Sequence, residues 1–153
     1  MKKYLFIGLF LAIGFMFIGE VNAQSVSGSL NNLGKGRTSS GSVVLSIPGG
    51  IHVNSYRPRS EYAIPTRVAV TGLNGVKAYG VTYPAGKMRK FEFSDEPISV
   101  YENRAYMGFK YTVPSGYSSN TVRVKVSITY QACTNEVCYP PKTKTFTISE
   151  GVK

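Results

Sequence analysis

The 153-residue chain reads as an all-β protein, an antiparallel β-sandwich, on three observations. Apolar and polar residues alternate with a period of two in run after run from Val43 to Ile148, the spacing that sends one side of a strand into a core and the other into water. No stretch repeats apolar residues at helical spacing for three turns. About seven or eight short runs are separated by Gly, Pro and Asn, the residues that break and turn strands, and two antiparallel sheets packed face to face are the simplest way to bury them.

The chain opens differently. Lys2 and Lys3 precede an apolar run from Tyr4 to Gly19, and Val21-Asn22-Ala23 has the small-residue pattern of a secretory cleavage site. The run is shorter than the ~20 residues that span a bilayer comfortably. Residues 1–23 are therefore expected to be a signal peptide, with an uncleaved anchor as the alternative, and the exported protein is expected to begin at Gln24. No cysteine lies near that site to accept a lipid, so no stable membrane insertion is expected after cleavage. A periplasmic or secreted location follows, an oxidising compartment in which an even number of cysteines closes into a pair.

Removal of residues 1–23 takes away two lysines and one glutamate, so the net charge falls only from +10 to +9. Such a basic chain suits nucleic acid, anionic surfaces or acidic proteins. Its lysines and arginines are scattered without a cationic block, and export argues against nucleic acid. A solvated basic surface is expected.

Residues 24–42 are rich in Ser, Gly and Asn, with Val26, Leu30 and Leu33 out of period, and read as a flexible lead-in. Residues 43–150 read as the sandwich domain. Val43, Leu45 and Ile47 alternate before the Pro48-Gly49-Gly50 turn, and Ile51 and Val53 alternate around His52. With no further set of ligands beside it, His52 is expected to be a hydrogen-bonded structural residue. Arg67 to Thr71 and Val76 to Tyr83 read as strands joined through an Asn74-Gly75 turn signal. Ile98 to Tyr101 and Ala105 to Val113 follow. The clearest strand is Thr121 to Gln131, where Val122, Val124, Val126, Ile128 and Tyr130 alternate with Arg123, Lys125, Ser127 and Thr129. It delivers the chain into Cys133, and Thr143 to Ser149 returns as its partner.

Cys133 and Cys138 are the only cysteines, in the segment Y-Q-A-C-T-N-E-V-C-Y-P-P. They can bridge if the chain turns back between them. A loop so short gains only about 2 kcal/mol from closure, against about 4.7 for a 100-residue loop, so the pair is a poor staple. Spacing alone leaves a structural hairpin disulfide, a redox-active pair and half of a zinc site open. Zinc requires four ligands in a closed site, and only His52 and carboxylates remain, so no metal or other cofactor is expected. The lone histidine makes no nucleophile-and-base arrangement, and no glycine-rich phosphate loop is present.

The segment Tyr130 to Pro141, followed by K-T-K-T-F, resembles the cysteine segment of the N-terminal periplasmic domain of DsbD, the thiol:disulfide interchange protein. Ile51 to Ser55 with Pro58, Tyr62 to Thr66, and Val81 to Pro84 agree in the same order. The resemblance implies an immunoglobulin-like sandwich whose cysteines shuttle between dithiol and disulfide, a protein-disulfide reductase component passing reducing equivalents among exported thiol proteins. It implies catalytic roles for both cysteines, with Cys138 joining the partner and Cys133 resolving. It also implies a loop folded over the sulfurs, for which residues 85–97 offer Phe91 or Phe93 as the shielding ring. Alternatively, both rings pack as alternate residues of a short strand. The membrane-embedded and thioredoxin-like domains of full-length members do not follow by Lys153, so electrons are expected in trans from such a donor. Lys142 and Lys144 are expected to favour the Cys138 thiolate and Glu136 to oppose it. The other reading of the whole chain is a secreted immunoglobulin-like interaction module with an inert disulfide.

Overall fold

The computed structural model describes residues 24–31 and 34–152. The proposed signal peptide lies outside the described residues, among which no helix is long and apolar enough to cross a membrane. Among the described residues three antiparallel sheets are formed. The first has the order β1-β2-β8-β5, from Ser25–Leu30, Thr38–Ser46, Arg104–Thr112 and Lys77–Thr82. The second is β11-β9-β4, from Lys142–Gly151, Thr121–Tyr130 and Arg67–Gly72. These two enclose the main core of a sandwich, as the alternation predicts, and its immunoglobulin-like type is the one the resemblance implies.

Val43, Leu45, Met107 and Tyr111 from the first sheet and Val124, Val126 and Ile128 from the second are 0–1% exposed and belong to one cluster. Each such side chain stabilises the fold by about 1.5–3 kcal/mol. The opposite faces carry Arg123, Lys125, Tyr106 and Lys110, all exposed. Strand β9 pairs with β11 from Tyr130↔Lys142 to Thr121↔Gly151 without a break, the partnership expected for the segment after the cysteines. The two prolines stand just before β11, an edge strand, where their missing donors cost no ladder bond.

The expected Asn-Gly turn is present, with Asn74 and Gly75 at φ 55° and 86° and Val76 N donating to Leu73 O at 3.1 Å. It makes no hairpin. Strand β4 pairs with β9 and β5 with β8, so the turn carries the chain from one sheet to the other.

The flexible lead-in expected over 24–42 is corrected by the structure. Strand β1 pairs with β2 over six positions and β2 with β8 over nine. The glycines that suggest mobility are places of close approach: a Cβ on Gly28 would stand 2.4 Å from Ile148 Cδ1, and one on Gly41 2.3 Å from Phe109 Cζ. The serines bond across the ladder, Ser29 Oγ to Ser42 Oγ at 3.0 Å. Long-range pairing overrides composition here.

The third sheet, β10-β3-β7-β6, is built from Ala132–Cys133, His52–Asn54, Ile98–Tyr101 and Lys87–Arg89. Its strands continue longer ones in the chain: β3 follows β2, β6 follows β5, β7 leads into β8, and β10 follows β9. The small sheet is therefore an end-piece of the sandwich, with its own apolar cluster of Phe91, Ile98 and Val100. Strand β6 lies inside 85–97, which the sequence presents as a loop.

Candidate functional site

Strand β9 ends at Tyr130, fully buried, and the next residues form β10 beside β3, so that Cys133 stands opposite His52. The chain then reverses. Thr134 N donates to Val137 O and Tyr139 N to Ala132 O, both at 2.8 Å, which makes Cys133 and Cys138 an antiparallel pair without hydrogen bonds of their own. That type of pair brings backbones closest, and the two Cα atoms are 4.0 Å apart with the sulfurs bonded. Thr134 Oγ1 accepts from Glu136 N and Val137 N at 3.2 and 3.1 Å, fixing the turn with a hydroxyl.

The two sulfurs have unequal surroundings. Cys133 is 2% exposed, while Cys138 is exposed. Beside Cys138 is a cavity of about 230 Å³ whose walls include Tyr62, Ala63, Phe93, Ile98 and Gln131. Phe93 is 40% exposed and stacks on Phe91 at 5.1 Å between ring centres. Phe91 is buried in the end cluster and meets the His52 ring edge-on at 5.1 Å. The two phenylalanines thus differ in placement: Phe91 is buried in the end cluster, and Phe93 lines the cavity beside Cys138. Neither belongs to a strand, and the loop backbone reaches the turn through Glu92 N to Asn135 O at 3.4 Å.

Polar side chains hold the remaining geometry. Gln131 Oε1 accepts from Asn54 Nδ2 and Ile64 N at 2.9 and 3.1 Å, and Gln131 Nε2 donates to Tyr139 O at 3.2 Å. Asn54 is itself 1% exposed, and Thr66 Oγ1 donates to its carbonyl at 2.6 Å. His52 is hydrogen-bonded, as expected, through Nε2 to Asn135 Oδ1 at 3.0 Å. Its Nδ1 lies 3.2 Å from Glu102 Oε1, at ion-pair distance but outside hydrogen-bonding angle. Arg89 grips the same carboxylate with Nε and Nη2 at 2.8 Å each. This guanidinium, helped by Lys87, holds the Glu102 carboxyl down at about 2 against the opposing effect of burial.

Sequence reasoning finds the cysteines and both rings but misses Gln131, Asn54, Asn135 and Glu102 as members of the site. Gln131 and Asn54 lie within the resembling segments, where a buried amide is the available signal. Lys144 Nζ donates to Gln24 O.

A family model described as thiol:disulfide interchange protein DsbD, N-terminal, matches residues 30–150. Among solved structures, the chain is similar to the Neisseria meningitidis DsbD N-terminal domain in the reduced form, at 22% identity over 82% of this chain and 85% of that one, with a TM-score of 0.49. It is also similar to the N-terminal periplasmic domain of ScsB from Proteus mirabilis, at 11% identity and a TM-score of 0.57 over 88% of this chain, and spans 49% of that chain. No curated protein matches it. With the family model covering most of its length, the chain belongs to the family of the N-terminal domain of the thiol:disulfide interchange protein DsbD.

Proposed function

We propose that the chain is a periplasmic thiol:disulfide exchange domain that carries two electrons between partner proteins through Cys133 and Cys138. The observation that carries this reading is the asymmetry of the pair, Cys133 buried and Cys138 exposed beside the cavity that Phe93 lines. Exchange requires a thiolate to reach one sulfur of a disulfide in line, with the other sulfur leaving. Cys138 is the sulfur a partner can reach.

Reduction starts when a thiolate of a donor dithiol, thioredoxin-like or membrane-embedded, attacks Cys138 Sγ. The Cys133–Cys138 bond breaks and Cys133 leaves as a thiolate. The donor's second thiolate then attacks the donor sulfur of the mixed disulfide, and Cys138 is released while the donor closes its own disulfide. Delivery runs the other way. The Cys138 thiolate attacks an acceptor disulfide, releasing one acceptor thiolate, and the Cys133 thiolate then attacks Cys138 Sγ, releasing the second and restoring the bond. Phe93 shields the sulfur from small oxidants and reductants and moves aside when a partner docks.

Separate Cys133→Ala and Cys138→Ala variants test the assignment. Mixed disulfides with exported thiol proteins accumulate in Cys133→Ala and are absent from Cys138→Ala. The reverse pattern exchanges the roles, and no trapping by either variant defeats the exchange reading in favour of an interaction module with an inert bond.

A further inference from the structure

The end sheet, the turn between the cysteines and the loop bearing the phenylalanines meet at one side chain. His52 stands opposite Cys133 in the β3–β10 ladder, with its side chain 16% exposed. Nε2 reaches the turn at Asn135 Oδ1, and the ring meets Phe91 in a T-shaped contact at 5.1 Å, with Phe93 stacked on Phe91. Nδ1 faces Glu102, whose carboxylate is pinned by Arg89. One hydrogen bond at Nε2 and the ring contact with Phe91 together orient the imidazole. Asn135 ties the system together from the turn side, with its side chain on His52 and its backbone oxygen on Glu92 N.

We infer that His52 is a positioning residue for the exchange reaction: through Asn135 it keeps the turn and Cys138 under Phe93, so that turn and loop are released together. This rests on the exchange reading given above, and it identifies the contact that governs access to the sulfur. The Nε2–Asn135 bond is the element to be broken. A hydrogen bond of this kind contributes about 1 kcal/mol, so its loss raises the population of the open form, and with it the rate of attack on Cys138, about fivefold.

The test follows reduction of the disulfide by dithiothreitol in the full exported chain, with alkylation and mass spectrometry counting the freed thiols. His52→Phe retains a ring against Phe91 but no donor to Asn135. Asn135→Ala removes the other end of the bond from an exposed turn, where folding is not at stake. Each is expected to accelerate reduction about fivefold, and the double variant is expected to be no faster than either single one, because both remove the same interaction. His52→Gln, which keeps an amide donor, returns the rate to within about twofold of the unaltered protein. Unchanged rates in both single variants overturn the inference. So do effects that multiply in the double variant, or an acceleration matched by a fall in the melting temperature of the sandwich. Failure of the exchange reading is a different result, the absence of mixed disulfides with proteins, and leaves the dithiothreitol rates readable.

Discussion

The two ends of this molecule are held together by different physics. In the main sandwich, strands of nine and ten residues, β8 and β9, bury Met107, Val124, Val126 and Ile128 completely, and nondirectional apolar contact supplies the cohesion. In the end sheet the strands have two to four residues and the apolar cluster has Phe91, Ile98 and Val100 at its centre. There, Val53, Tyr101 and Ala132 reach back into the main core, and named hydrogen bonds set the rest: Ser55 to Ser99, Asn54 to Gln131, His52 to Asn135. Such bonds add only about 0.5–1.5 kcal/mol each but fix direction. The cysteine pair stands on the second kind of structure, where few buried apolar contacts make local opening cheaper than opening of the sandwich.

The contrast is sharpest under mutation of the large core. Phe109→Ala is expected to cost about 3–5 kcal/mol, read as a fall in the denaturant midpoint, and to leave the packing of Phe91 and Phe93 on the folded molecules unchanged. If the loss is below about 1 kcal/mol, the sandwich is not the structural anchor described.

Reducing the disulfide is expected to cost about 2 kcal/mol, the closure term of a short loop, and to leave the circular dichroism of the sandwich intact. Cooperative unfolding on reduction at room temperature would erase the distinction between the two ends.

Acid supplies a smaller effect. Glu102 titrates lower in the folded chain than in the unfolded one, so its contribution is fully present above the unfolded value, near 4.3, and disappears as pH falls towards about 2. Its partners Arg89 and Lys87 are about half exposed or more, which reduces the contribution to roughly 1 kcal/mol. Stability measured from pH 5 to pH 2 should therefore fall less in Glu102→Gln than in the unaltered protein. Equal slopes would remove Glu102 from the forces holding the end sheet.

The smallest effect on stability is expected from Phe93→Ala, within about 0.5 kcal/mol for a side chain so exposed. Its effect on chemistry is the opposite, a faster reduction of Cys138 by dithiothreitol. A slower or unchanged rate would mean that Phe93 does not shield the sulfur.

The same division explains what could be read from the sequence. Strands β8 and β9 declare themselves because their buried and exposed faces alternate without interruption, and the partner strand β11 follows from its place after the turn. Strand β1 and the first half of β2 are hidden, since Ser and Gly chosen to fit under Ile148 and Phe109 look like mobile composition. Strands β6 and β10 are too short for a period to show. At the site, the cysteines announce themselves by scarcity and the rings by the position of their loop between two resembling segments. Asn135 and Glu102 do not, because their importance arises from partners far away in the chain, as with His52 and Asn135, 83 positions apart.

The uninterrupted ladder from Tyr130↔Lys142 to Thr121↔Gly151 has a consequence for how such a domain can be varied. Residues 131–141 are closed at their base by that ladder whether or not the sulfurs are joined. Doubling the length of a flexible loop closed in this way costs only about 0.6 kcal/mol, so extra residues placed at the exposed tip between Thr134 and Val137 would cost the sandwich ladder little. The span between Cys133 and Cys138 can thus be lengthened by design while the ladder beneath it keeps its register.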